Sequence, residues 1–158
     1  MVKNDNSDNN IPEMNIDRKY SAKKAIIPEN PEKVKKEMEK TKKEIDKLKS
    51  FILKEFSYVK SISILPPASI QKFIEEEEVP KETEKHVHMV IIIPDEKKKE
   101  IIKLKQEVVK QIGEQKIWIH IKTPADIWSI CLDSKFEMTN AISMSFPVYD
   151  EGLLGALR

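Results

Sequence analysis

The chain has one cysteine, Cys131, in 158 residues, so it forms no internal disulfide and offers none of the paired-cysteine spacings of a zinc finger. Charge of one sign is equally scarce. Twenty-eight Lys and Arg stand against 27 Asp and Glu, a formal net charge of +1, which leaves no global field to draw nucleic acid or an anionic membrane. Any basic surface has to be local. Long apolar runs are missing too: the opening MVKNDNSDNN lacks the apolar core of a signal peptide, and no run approaches the roughly 20 residues that cross a bilayer. These absences predict a soluble, cytoplasmic protein with no membrane partner, built as one domain with a tail.

What is present is concentrated between Lys85 and Thr123, where a strand pattern, a helix pattern and a second strand pattern follow one another. Val87 to Ile93 is a β-branched run closed by Pro94-Asp95, which predicts a buried strand ending at a turn. Ile101, Leu104, Val108 and Ile112 then recur at helical spacing. Ile102 and Val109 widen that stripe, and Gly113 ends it. Ile117, Ile119 and Ile121 alternate with Trp118, His120 and Lys122, which gives a strand with one apolar and one mixed face. The stretch predicts one βαβ unit.

Around this unit, residues 1 to 30 are rich in Asn, Asp, Lys and Ser, with apolar residues at neither period, and predict a disordered tail in which Ala25-Ile26-Ile27 could dock locally. Asn30 as N-cap and Pro31 at the first helical position open a helix whose stripe is Val34, Met38, Ile45, Leu48, Ile52 and Phe56. Tyr58 to Leu65 predicts a strand stopped by Pro66-Pro67. Ser69 to Ile74 predicts a short helical turn, and Glu75 to Glu78 a solvated acidic loop, with a divalent-cation site as the lesser alternative. Thr123 caps a helix with Pro124 first and Asp126 in the first turn; Ile127, Trp128, Ile130 and Cys131 form its predicted buried side. Phe136 to Met144 predicts another short helix and Phe146 to Asp150 an extended segment. The two leucines between Gly152 and Gly155 suit a buried helix start better than a phosphate loop. The chain stops at Arg158 within an apolar segment, which predicts that 151–158 begins a further, truncated segment.

The expected fold is therefore α/β (α+β), a small mixed sheet with helices packed on one face. From Pro31 to Asp150 the succession of elements resembles the nucleotidyltransferase superfamily of the DNA polymerase beta type, in its small archaeal forms. FSYVKSISIL, from Phe56 to Leu65, resembles the strand that leads into the family's Gly-Ser phosphate loop. Lys85 to Ile93 resembles the strand of its two alternating aspartates, Lys116 to Thr123 the strand of its third acid, and Ala125 to Asp150 its closing helices. Pro66-Pro67-Ala68-Ser69 stands where the family has Gly-Ser, and two prolines remove N–H donors that would cradle phosphate. His86 and His88 stand in place of the aspartates and Trp118 in place of the third acid. Magnesium-dependent nucleotidyl transfer needs carboxylate oxygens there. The resemblance thus implies a catalytically degenerate domain of a larger protein that needs no cofactor of its own and binds a protein partner, a nucleotide or RNA. Its alternative is a nucleotidyltransferase whose magnesium-binding catalytic domain lies C-terminal to this chain.

All three histidines fall on the predicted strands. His86 and His88 share a face by alternation, and His120 lies on the mixed face of the neighbouring strand with Trp118. Paired in register, the three imidazoles could converge as zinc ligands with an open fourth position; the alternative is that they are structural. Cys131, on an apolar helix face, is read as an inert thiol. Lys99, Lys103 and Lys110 form a stripe on the outer face of the central helix, and Lys35, Lys42, Lys43 and Lys49 another on the long helix. Both are interleaved with glutamates, the mark of a solvated face more than of a nucleic-acid footprint.

Overall fold

A computed structural model describes residues 30–158. The predicted tail, with Ala25-Ile26-Ile27, lies outside the described residues. Helix α1 spans Pro31–Glu55, and the Asn30 side chain accepts hydrogen bonds from the Glu32 and Lys33 amides at its start. Strand β1, Ser61–Ile64, follows a short turn, and Pro66-Pro67 then takes the backbone out of the sheet. Helix α2 runs Ile70–Glu77, strand β2 Val87–Ile92, helix α3 Ile101–Ile112 and strand β3 Ile117–Lys122. Helices α4 (Pro124–Leu132) and α5 (Phe136–Ser143), strand β4 (Phe146–Asp150) and helix α6 (Leu153–Leu157) complete the chain.

The strands form one mixed sheet in the order β3-β2-β1-β4. β1 is antiparallel to β2, with Ile64 opposite Met89, and antiparallel to β4, where the register shifts between Ile62 and Ser63. β2 and β3 are parallel, Val87 opposite Ile117 through Ile92 opposite Lys122. Parallel neighbours need a crossover connection, and α3 supplies it. Gly113 holds a φ of 57° at the helix end, where an L side chain is disfavoured.

Helices cover both faces of the sheet, where one covered face was expected, because β2 is apolar on both sides. Met89, Ile91 and Ile93 join Leu48 and Ile52 of α1 and Leu104 and Val108 of α3 in one core. Val90 and Ile92 point the other way, into a second core with Phe73 of α2, Ile127 and Ile130 of α4, Met138 and Ile142 of α5 and Leu154 of α6. Gly152-Leu-Leu-Gly155 is thus a helix start that buries Leu154 while both glycines stay exposed.

Several expectations about faces are corrected. Val34 and Met38 are exposed, Met38 by 68 %, because the start of α1 packs on no other element among the described residues; the helix buries Leu48 and Ile52. Trp128, expected on the buried side of α4, is exposed, as are Ile102 and Val109 of α3. The acidic run is not a loop. Glu75 to Glu77 continue α2, and Glu78 closes it in the left-handed region. The carboxylates also diverge: Glu76 accepts from the Met138 amide at 2.9 Å and Glu77 pairs with Lys122, so they do not form the cation site considered for them. Among the described residues no helix is long and apolar enough to cross a membrane.

Candidate functional site

The end of β1 and the beginnings of β2 and β3 meet at one corner of the sheet, because β1 runs against β2 while β3 runs with it. Leu65 donates its amide to the His88 carbonyl at 2.9 Å, which ties the Pro66-Pro67 exit to the start of β2. His88 lies opposite Trp118 and Val90 opposite His120, so Trp118, His88 and His120 share the face that α2 covers. The corner therefore gathers Pro66 to Ser69, His86, His88, Trp118 and His120.

His88 and His120 are direct partners. His88 is 0 % and His120 5 % exposed, and His88 Nδ1 stands 2.8 Å from His120 Nε2. The two rings are stacked with centroids 5.1 Å apart, and the Phe73 ring meets His120 edge-on at 4.8 Å. His88 Nε2 lies 2.8 Å from the Thr83 carbonyl, in the short helical turn Lys81–Lys85. That carbonyl can only accept, so His88 carries its proton on Nε2. Its Nδ1, when the ring is neutral, then accepts from His120 Nε2–H. One tautomer of each ring satisfies the chain, and both rings are neutral in it.

Burial favours this state. It pushes the His120 imidazole down to about 3, helped by its neighbours His88, Lys122 and Lys105. Burial also lowers His88, with His86 adding to the effect and the Thr83 carbonyl opposing it. Thr83 is itself buried and its hydroxyl donates to the Pro80 carbonyl at 2.7 Å, so the turn that receives His88 is held in place.

The other candidates lie apart from this pair. His86 is half-buried, its Nδ1 has no hydrogen-bond partner among the described residues, and it lines a hollow with Trp118, Val109 and Lys105. Trp118 is half-buried beneath the Lys105 ammonium, which sits 5.9 Å from its ring centroid. A second apolar hollow, lined by Ile64, Leu65, Pro67, Ile70, Val87 and Phe146 together with His86, opens on the β1 side of the corner. Two of the three imidazoles converge, but not the third. Among the described residues no three His, Cys, Asp or Glu side chains stand where they could hold a metal ion together. Lys99, Lys103 and Lys110 are all exposed, and Lys110 pairs with Glu107 on its own helix at 2.9 Å. Cys131 is half-buried, 3.7 Å from the Thr139 hydroxyl.

Sequence reasoning missed Thr83 and Phe73, which enclose the imidazole pair. An isolated threonine in KETEK carries no signal of its own, and Phe73 was visible only as one apolar residue of a short helix. No family model, curated protein or solved structure matches the chain.

Proposed function

We propose that this chain is a catalytically degenerate nucleotidyltransferase-like domain of a larger cytoplasmic protein, serving as a structural part or as a binding module for a partner. The observation that carries the reading is the fate of His88. It stands where the resemblance calls for a metal-binding aspartate, and it is fully buried with both ring nitrogens engaged, by His120 and by the Thr83 carbonyl. A group so enclosed cannot hold a hydrated magnesium ion against a triphosphate. The order of elements from α1 to α4, with β1 antiparallel to β2 and β2 parallel to β3, supports the same reading. It brings Pro66-Pro67, His88 and Trp118 to one corner, as a phosphate loop and three acids would have to be.

The test is pyrophosphate release from the four ribonucleoside triphosphates with magnesium or manganese and an RNA primer. The expected result is no release above a protein-free control. Metal-dependent release that is lost in the His88→Ala variant would overturn the reading.

A further inference from the structure

We propose that the free edge of β3 takes up an extended, acidic peptide strand of a partner protein, which adds to the sheet as a fifth strand. Among the described residues β3 ends the sheet, with β2 on one side. Val87 donates to the Lys116 carbonyl and Ile93 to the Lys122 carbonyl, so the even-numbered residues of β3 turn their backbone groups toward β2. The odd-numbered residues turn theirs outward. The Ile117 amide is taken by the Gln115 carbonyl, whereas the outward N–H and C=O groups of Ile119 and Ile121 have no backbone partner among the described residues. Natural edges are blunted by prolines, bulges or inward charges. IWIHIK has no proline, its register against β2 is unbroken, and its one inward charge, Lys122 at the end of the strand, is neutralised by Glu77. An edge of this kind is a template for strand addition.

The walls of the edge define what the strand would carry. Val109 and Ile102, seven residues apart on α3 and hence on one side of it, are 50 % and 71 % exposed. Val109 and Trp118 line a hollow beside Ile117 and Ile119, a seat for an apolar side chain. Lys105 lies between Ile102 and Val109 and reaches from α3 to the Trp118 ring on the other face of the sheet. No carboxylate lines this hollow. A ligand carboxylate opposite Lys105 completes the charge pattern.

The same features argue against a second copy of the chain. Two-fold antiparallel pairing about Ile119 would set Lys105 against its own symmetry mate, and like charges placed opposite are destabilising. Two exposed aliphatic residues and one half-buried tryptophan also supply only a small part of the roughly 800 Å² that each partner of a stable complex buries. A single strand, held mainly by backbone bonds, needs far less. The inference rests on the binding-module reading above but not on the nucleotidyltransferase resemblance.

The probe is a fluorescein-labelled heptapeptide alternating valine with glutamate, followed by anisotropy on the full chain. A lysine-for-glutamate peptide and a peptide N-methylated at alternate amides serve as comparisons. The expected result is saturable binding of the glutamate peptide about tenfold tighter than the lysine peptide, with the preference reversed by Lys105→Glu. The N-methylated peptide should not bind. In hydrogen exchange, the Ile119 and Ile121 amides should slow about tenfold on adding the glutamate peptide. Absence of binding, equal binding of both charges, or binding of the N-methylated peptide overturns the proposal. So do edge amides already protected in the free chain: in a monomer they assign the edge to residues 1–29, and in a dimer to a second copy. Lys105 is exposed, so its variant keeps the fold. Pyrophosphate release reports separately on the catalytic reading, and neither assay decides the other.

Discussion

Lowering the pH from 7 to 5 should weaken the fold through the His88–His120 pair. The His120 imidazole titrates near 6.5 in an unfolded chain and at about 3 in the folded one. Between these values the unfolded chain binds a proton that the folded chain refuses. Stability therefore rises with pH through this window, is complete above 6.5, and falls as the pH drops below it. Each pH unit below 6.5 removes about 1.4 kcal/mol, so pH 5 costs about 2 kcal/mol from this ring alone, and His88 adds a loss in the same direction. For a domain of this size that corresponds to a melting temperature lower by roughly 8 °C. The measured interval, pH 7.5 to 5, stays above the ordinary carboxylate midpoints, which limits what Asp and Glu add to the slope. Calorimetry at half-unit steps from pH 7.5 to 5 would measure the slope, alongside a His120→Gln variant that keeps a donor for His88 but cannot titrate. A wild-type melting temperature flat across the window, or an equal slope in His120→Gln, would refute the reasoning.

Other substitutions test separate links. The Thr123 side chain accepts from the Asp126 amide at 3.2 Å while Asp126 accepts from the Thr123 amide at 2.9 Å; losing this capping box in Thr123→Ala should cost about 1 kcal/mol in urea unfolding. Ile52→Ala, at a fully buried position of α1, should cost about 2–5 kcal/mol, whereas Met38→Ala, two-thirds exposed on the same stripe, should stay within about 0.5 kcal/mol. Equal effects at the two sites would mean that the first half of α1 is packed after all. The buried Ser63 hydroxyl has no protein partner among the described residues, so Ser63→Ala should leave stability unchanged or raise it by up to about 1 kcal/mol, and a loss of more than that would show a hidden bond. Lys60–Glu151 is a solvent-exposed pair 2.9 Å apart, and Lys60→Met should leave the urea unfolding midpoint unchanged.

Local chemistry was legible in the sequence wherever it repeats with a period or punctuates a terminus. Asn30-Pro31 and Thr123-Pro124 mark helix starts because a side-chain acceptor and a missing amide suit those positions, and both helices begin there. The βαβ unit was legible because two β-branched runs flank one helical stripe. Periodicity gives the direction of a side chain but not what lies beyond it. Ile102 and Val109 keep the helical spacing of the core stripe yet are exposed, with no partner among the described residues. Glu75 to Glu78 looked like a loop because adjacent like charges repel; Lys122 and the Met138 amide, 45 and 62 residues distant in sequence, relieve two of them in α2. The site was half legible. Alternation put His120 and Trp118 on one face, but only the strand order brought His88 to His120, and nothing local announced that Thr83 would fix the tautomer.

The placement of β4 has a consequence for how the protein is made. β2 and β3 lie close to β1 in the chain, but β1 has its other edge filled by residues 146–150. A ribosome delivers that strand after the other three of the sheet. Residues 31–122 can assemble three strands while Ser61–Ile64 still shows a bare edge, and long-range pairing of this kind closes slowly. The nascent chain is most prone to join with its neighbours in this interval, so slow codons or a stalled ribosome before Phe146 should increase aggregation, and a chaperone that shields β1 should relieve it.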